Sequence, residues 1–492
     1  MKRLETLAVI AHDMGIIFEF LGMITLVPFV VLVIFGEWEM VVPMASVPLT
    51  FLILGLLISR IPRREYVSQI SVALAAVALI WLAIAVVGAL PFVIGAHMSF
   101  SDSIFEAMSG WTGTGFTVIA TLDSTPKTLL FWRSFMQWVG GVGVIAFGTA
   151  MLSRSSLMQH QLYRSEGRSE ELMPSVVSTG RRMWVIYLFL TVVFTGMVML
   201  SGISLWDALN LTMVSIATGG FTLHDAGMAY YHNVVLEGLL IPVMIAGALP
   251  FKLYFLMYRG KIRPFFRDRV VRLILALALV GSVVVTLDLH VFNNFPLETA
   301  VQQGFFCTIS GLTCTGLQNS DLHWVSGPLI VIIILMMIGG AAGSTSGGIK
   351  ANRVILGYEG LVWWFRRFFA RGREIVPCRR EGKAIPTRIS EVELSKNMLI
   401  IILYVLVIFV ATIIGLHLAA TGFRVHEVVF EEVSTMSNVG LGLGYLNYAS
   451  PLSTKWLFIF LMWIGRLEII PVLILAMGFA RGFEARVKGS RR

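Results

Sequence analysis

The sequence predicts an all-α polytopic membrane protein: two leading spans, then four copies of a unit made of a span, a short re-entrant helix, a glycine-bearing turn and a second span. Three observations predict it. Of 492 residues, 57% are hydrophobic and only 14% charged, with mean hydropathy +0.81, far from the composition of soluble domains. Apolar stretches of roughly 20 residues, each long enough to cross ~30 Å of hydrocarbon, recur along the whole chain. Four glycine turns recur between paired spans.

The net charge of +9 taken alone suits a nucleic-acid binder, but the placement of the charges excludes that. Basic residues crowd into alternate connections: RIPRR at 60–64, 154–182, 259–272, 350–396 and the RGFEARVKGSRR tail. The intervening connections hold little beyond Lys127, Arg424 and Lys455. This is the positive-inside asymmetry, which puts both termini and the basic loops in the cytoplasm of a multi-pass protein of the cell membrane. The same charge implies some affinity for anionic lipid. Cys307, Cys314 and Cys378 form no metal or disulfide pattern. At the start, Glu5, His12 and Asp13 interrupt what would be a signal-peptide core, so the N-terminus is expected to be retained.

Spans at 15–35 and 42–59 lead the chain. Pairs follow at 69–94 and 129–152, 184–203 and 234–257, 272–292 and 327–349, and 398–419 and 455–480, making ten crossings. The outer connection of each pair carries a semi-apolar segment of about 10–15 residues, too short to span and suited to a re-entrant helix. These segments end alike, in SGWTGTGFT (109–117), SIATGGFT (215–222), SGLTCTGL (310–317) and STMSNVGLG (434–442). With Gly115, Gly220, Gly316 and Gly440 in register the interval is roughly 100 residues, an internal repeat. The chain then divides into a leading pair (1–66), four pore-loop repeats in pseudo-fourfold arrangement (67–158, 159–262, 263–364 and 397–492, the last including the tail) and a basic cytoplasmic connection (365–396). Residues 164–175, with charges of both signs, read as a loop.

Permeation of a cation requires oxygens to replace its water shell, and backbone carbonyls lining a protein cavity supply them. Glycine lets the backbone reach the conformations that aim carbonyls inward. The candidate lining is Thr112, Gly113, Thr114 and Gly115; Ala217, Thr218, Gly219 and Gly220; Thr313, Cys314, Thr315 and Gly316; and Ser437, Asn438, Val439 and Gly440. Each re-entrant helix would aim its negative C-terminal end at this lining. One such turn alone is as well explained by small-residue helix packing; four in register point to a pore. Asp102, Asp207 and Glu427, thirteen residues before their glycines, either cap the helix N-terminus or draw cations to the outer mouth. Glu106 and Glu431, nine residues before, are candidates to brace the turn from behind.

The span 327–349 is interrupted by GGAAGSTSGGIK, with Gly339, Gly340, Gly343, Ser344, Thr345, Ser346, Gly347 and Gly348 before Lys350. A phosphate loop is excluded, because no Lys-Ser/Thr pair follows the glycine. Two readings remain: close helix packing, or a mobile plug below the filter with Lys350 marking the nearby cytoplasmic edge. Arg466, inside the last span, either faces the pathway or pairs with Glu468, although residues two apart on a helix face each other badly. Lys252 is placed to snorkel and is assigned no role, and the outer-loop histidines, His224 among them, read as surface residues.

FEAMSGWTGTGFT, FWRSFMQWVGGVGVI, IGGAAGSTSGGIK, EVSTMSNVGLGLG and WIGRLE, in this order, resemble the motifs of the Trk/Ktr/HKT superfamily of potassium and sodium transporters over nearly the whole chain. The two extra spans make the TrkH-type membrane subunit the nearer likeness. The resemblance implies potassium held mainly at Gly113, Thr114, Thr218, Gly219, Cys314, Thr315, Asn438 and Val439, a gate in Gly339–Gly348, and Arg466 facing the pathway. It implies a homodimer with a pore in each protomer, working with cytoplasmic TrkA-type nucleotide-binding subunits, so that NAD or ATP control belongs to a partner and this chain carries no cofactor. Gly115, where the sodium-preferring branch has serine, favours potassium.

The expectation is gated potassium uptake through a channel-like pore. Proton- or sodium-coupled symport, or a less selective potassium/sodium pathway, is the alternative. An enzyme is not expected, since no HExxH or GxSxG set appears.

Overall fold

The computed structural model describes residues 2–61, 70–143, 176–370, 376–380, 383–385, 387–418 and 423–478. Residues 164–175, expected as a loop, lie outside them. The leading pair is helix Lys2–Ile24 packed along Val41–Ser59, joined by Pro28–Phe35 and a short turn at Trp38–Met40. Glycines set its spacing. A Cβ on Gly15 would lie 2.5 Å from the Ser59 nitrogen, and one on Gly55 2.7 Å from that of Glu19, the close approach that small residues allow in membranes. Ser59 donates to the Glu19 carboxylate at 2.5 Å, so the charge is not left bare among apolar neighbours. The pair is tied to the first repeat by Glu37, which accepts from the nitrogens of Lys127 and Thr128, both at 2.8 Å. Its carboxylate thereby caps the positive N-terminus of the next span.

Four units follow. Their first spans are Ile70–Gly88, Val176–Met199, Arg269–Val291 and Thr387–Leu418, and their short re-entrant helices are Phe100–Thr112, Leu205–Ile216, Leu297–Leu312 and Val425–Met436. The longest of the four short helices has 16 residues and rises ~24 Å, short of the hydrocarbon thickness. Ser99 and Ser204 cap two of them, accepting from the nitrogens of Asp102 (3.2 Å) and Asp207 (3.1 Å), while Glu427 accepts from the Arg424 nitrogen at 2.7 Å. The acidic residues thus serve the helix ends. Asp102 also pairs with Lys455 at 2.7 Å, joining the first unit to the fourth.

Besides the interruption expected within 327–349, the second spans of the second and fourth units are bent. Lys127–Val142 runs to Gly143, where the described segment ends. Val234–Ala248 bends by 97° into Phe251–Tyr258, because Pro250 has no N–H and disfavours helix at Leu249 before it. Ser326–Ile338 stops at Gly339, and helix resumes only at Ala351. Leu452–Leu467 bends by 111° into residues 470–478. Six unbroken helices and two bent pairs meet the length and hydropathy of a span among the described residues.

The third unit ends in the amphipathic helix Ala351–Phe368, which runs into the connection. Strands Cys378–Arg380 and Lys383–Ile385 then pair antiparallel, Cys378 opposite Ile385, a small exception to the helical fold.

We expect Gly55→Leu to wedge the leading pair apart, an overpacking cost of about 1–3 kcal/mol, read as a lowered melting temperature in detergent.

Candidate functional site

The four re-entrant helices end at Thr112, Ile216, Leu312 and Met436, each immediately before or within a candidate lining set. In every set the second and fourth residues have positive φ: Gly113 and Gly115 (69° and 91°), Thr218 and Gly220 (51° and 80°), Cys314 and Gly316 (57° and 83°), Asn438 and Gly440 (53° and 97°). Alternation in the sign of φ aligns successive peptide dipoles instead of opposing them. The strain at Thr218, Cys314 and Asn438, on the order of 1–3 kcal/mol each, carried no signal in the sequence.

The fourth position must be glycine for a second reason. A Cβ on Gly115 would stand 2.3 Å from the Gly219 oxygen, one on Gly220 2.3 Å from that of Thr315, one on Gly316 1.8 Å from that of Val439, and one on Gly440 2.1 Å from that of Thr114. Each glycine abuts the third-position carbonyl of the next unit, and the cycle closes. Gly113, by contrast, has ordinary room, 3.7 Å to its nearest neighbour, in keeping with the side chains that occupy that position in the other three units.

Buried polar side chains brace the turns from outside. Glu106 accepts from the Thr117 hydroxyl (3.0 Å), the Val118 nitrogen (3.1 Å) and Arg133 (2.6 Å), and Arg133 in turn donates to the Thr222 carbonyl at 2.8 Å. Glu431 accepts from the nitrogens of Leu443, Tyr445 and Leu446 at 2.7, 2.8 and 2.8 Å. In the third unit Asn319 donates to Glu237 at 2.7 Å. Gln137 donates to the Gly219 carbonyl at 2.6 Å and accepts from the Phe221 nitrogen at 3.1 Å. Gln137 and Arg133 were missed as site residues, although a polar side chain at membrane depth is itself a signal. Gly140, Gly247 and Gly465 were missed as well. A Cβ on them would lie 2.1, 2.5 and 2.2 Å from the carbonyl oxygens of Trp111, Ile216 and Met436, so each second span presses its glycine onto the end of its own re-entrant helix.

The interrupted stretch Gly339–Lys350 lies directly beneath. Its Thr345 hydroxyl donates to the carbonyls of Ile216 and Gly247, both at 2.9 Å, and accepts from Thr218 at 3.2 Å. A Cβ on Gly347 would stand 1.8 Å from the Ser437 oxygen. The loop docks into the break of the second unit, where the Ala341 nitrogen donates to Ala248 (2.9 Å) and the Phe251 nitrogen to Gly343 (3.1 Å). Ser346 Oγ accepts from the Gly340 nitrogen at 2.9 Å, and a Cβ on Gly348 would meet Gly339 at 2.9 Å, so the loop also closes on itself. The Nζ of Lys350 donates back to the Ser346 carbonyl.

Arg466 does not pair with Glu468. Its guanidinium donates to the carbonyls of Gly140, Gly141 (3.3 Å) and Thr345 (3.3 Å), 5.4 Å from the Trp81 ring centre. Glu468 instead bridges to Arg353, beyond the loop. Both sit on strained backbone or beside it, since Glu468 and Ile469 have φ of 61° and 65°. Between loop and turns a cavity of about 30 Å³ remains, lined by Arg466, Lys350, Asn438 and Gly347 among others, room for one or two waters.

At the outer side His224 is more than a surface residue. It hydrogen-bonds Asp123 at 2.7 Å and stacks on Tyr230 at 3.5 Å. That bond holds the Asp123 carboxyl below its usual range.

Fold and site together define a polytopic membrane protein whose centre is a closed fourfold ring of pore-loop turns with the stretch Gly339–Lys350 packed against it. A model of the TrkH family, described as cation transport protein, matches residues 44–480. An uncharacterized cation transporter of Methanocaldococcus jannaschii is 32% identical over 473 residues, 95% of this chain and 94% of the relative. The Trk system potassium uptake protein TrkH of Salmonella typhimurium is 31% identical over 412 residues, 81% of this chain and 83% of its own. The crystal structure of the potassium transporter TrkH from Vibrio parahaemolyticus superimposes with a TM-score of 0.82 at 27% identity, covering 95% of this chain and 98% of that one. The chain belongs to the TrkH family of cation transport proteins.

Replacing Glu431 by alanine orphans three buried backbone donors at about 1–3 kcal/mol each. The expected outcome is a protein that melts well below the wild type, with Glu431→Gln intermediate, measured by thermal unfolding in detergent.

Proposed function

We propose that this chain takes up potassium across a cell membrane, down its electrochemical gradient, through a gated channel-like pore. The observation that carries the reading is the closed cycle in which each fourth-position glycine meets the next unit's carbonyl, at Gly219, Thr315, Val439 and Thr114. Four carbonyls held in one ring by backbone packing, with four helix C-termini behind them, replace a cation's water shell without a charged ligand. Ions are held mainly at Gly113, Thr114, Thr218, Gly219, Cys314, Thr315, Asn438 and Val439. Potassium as the cargo rests on the likeness to the relatives named for its uptake.

The gate in this reading is Gly339–Lys350 with Arg466. A cation below the ring meets the Arg466 and Lys350 charges at close range in little water, which opposes passage until the loop moves. Opening requires the loop to leave Thr218, Gly247 and Ser437. The assembly is a homodimer with both termini in the cytoplasm, and the energy to shift the loop comes from cytoplasmic nucleotide-binding subunits. Supporting that arrangement, Ala351–Phe368 continues from the loop as an amphipathic helix with Trp364, Phe368 and Phe369 exposed.

The test is flux in liposomes under imposed gradients. Potassium movement set by voltage and its own gradient is the expected result; movement driven by a proton or sodium gradient would sink the channel reading in favour of symport. Gly115→Ser drives a side chain toward the Gly219 oxygen and is expected to lower potassium over sodium preference about tenfold or more, ~1.4 kcal/mol, with an unchanged ratio counting against the filter. Removing residues 343–348 is expected to raise basal flux, and unaltered flux in a folded variant removes the gate assignment.

A further inference from the structure

The 97° bend at Leu249–Pro250 redirects the chain into the limb Phe251–Tyr258. It leaves a cavity of about 540 Å³ between that limb, the first turn of Arg269–Val291 and the helix Ala351–Phe368. This size lies within the range of ~300–1,000 Å³ typical of ligand sites. Its charged wall is made of Lys252, Arg267, Arg269, Asp268 and Glu359, with Asn352 at its inner end. The two acids are already engaged. Asp268 accepts from the nitrogens of Val270 (2.8 Å) and Val271 (3.2 Å) as a helix cap, and Glu359 pairs with Arg269. Lys252 and Arg267 have no side-chain partner among the described residues. The cavity therefore presents two uncommitted cations.

Its surroundings say what kind of anion reaches them. The cavity belongs to the basic side of the chain, in the 259–272 connection. Beside it Tyr258, Ile262 and Phe266 are exposed at 78%, 53% and 64%, apolar and aromatic side chains of the kind that sit at the membrane interface. Two cations next to an apolar and aromatic rim, in a connection that its basic charge assigns to the cytoplasmic membrane surface, are complementary to a phosphodiester carrying acyl chains. We propose that this cavity binds the headgroup of an anionic phospholipid, with Lys252 and Arg267 on its phosphate.

The walls are joined to the loop Gly339–Lys350. Asn352 accepts from the Ala342 nitrogen at 2.7 Å, and the Phe251 nitrogen donates to the Gly343 carbonyl at 3.1 Å. An occupied cavity holds limb and helix at one spacing and so steadies the loop between them. The binding stands without the pore reading, whereas its effect on flux rests on that reading.

The full chain is reconstituted in phosphatidylcholine nanodiscs doped with phosphatidylglycerol, and retained phosphatidylglycerol is counted by native mass spectrometry. The double variant Lys252→Gln/Arg267→Gln is expected to hold it on the order of tenfold more weakly. Arg60→Gln, a basic surface change elsewhere, is expected to leave retention unaltered. Equal retention in the double variant and wild type overturns the site. Displacement of the lipid by inorganic phosphate assigns the cations to a soluble phosphate and overturns the lipid. If no flux is seen in any lipid the pore reading fails, and the retention measurement still decides this one.

Discussion

Everything in this protein is arranged around four contacts, the meeting of each fourth-position glycine with the third-position carbonyl of the next unit. Because the contacts run first to second, second to third, third to fourth and fourth to first, they form a ring that no unit can leave without opening two of them. A methyl group at any of the four would demand a shift of backbone, which flexible side chains cannot absorb. The remaining structure serves this constraint. Re-entrant helices deliver the turns, Glu106, Glu431, Gln137 and Asn319 hold them from outside, and glycines of the second spans let three helices lie against the re-entrant helix ends.

The ring also explains the asymmetry among the four units. Where the second lining position is Gly113 the left-handed backbone costs little, but Thr218, Cys314 and Asn438 carry strain there. The side chains of Thr218 and Asn438 offset it with hydrogen bonds, most of them to partners distant in the chain. Asn438 donates to Thr114 Oγ1 at 2.9 Å and to the Met462 carbonyl at 3.1 Å, and Thr218 donates to Ala217 and Thr345. Two of these partners matter most. Thr114 belongs to another unit of the ring, and Thr345 belongs to the loop beneath it, so Asn438 and Thr218 tie separate parts together.

Much of this was legible in the sequence for a simple reason. Spans and short re-entrant segments write themselves as hydrophobic length, and the glycines of the ring are demanded by backbone geometry that no other residue satisfies. The left-handed Thr218, Cys314 and Asn438 were not legible, since their strain is repaid by partners distant in the chain. The bend after Ala248 had a signal in Pro250, but a span of normal hydropathy masked it. Glu468 sits two residues from Arg466 and suggested a partner for it; the left-handed turn at Glu468 and Ile469 directs it to Arg353 instead. Sequence proximity and spatial pairing part company wherever a helix ends.

That last point bears on how the loop and ring are linked. Helices of the second spans end at Val142, Ala248, Ile338 and Leu467, below the ring in each unit. A straight helix at any of these places would carry its chain past the ring and leave the inner mouth open. By ending there, the first unit offers the carbonyls of Gly140 and Gly141 to Arg466, the second offers that of Gly247 to Thr345, and the third supplies the loop beneath them. The loop is therefore held by carbonyls freed where the helices end. Breaking a span in a bilayer is tolerable when the freed carbonyls find donors, and here the donors are the loop's hydroxyl and the arginine beside it. Docking of the loop against the ring and satisfaction of the helix-end carbonyls are one set of hydrogen bonds, so the loop cannot withdraw without water or an ion taking its place.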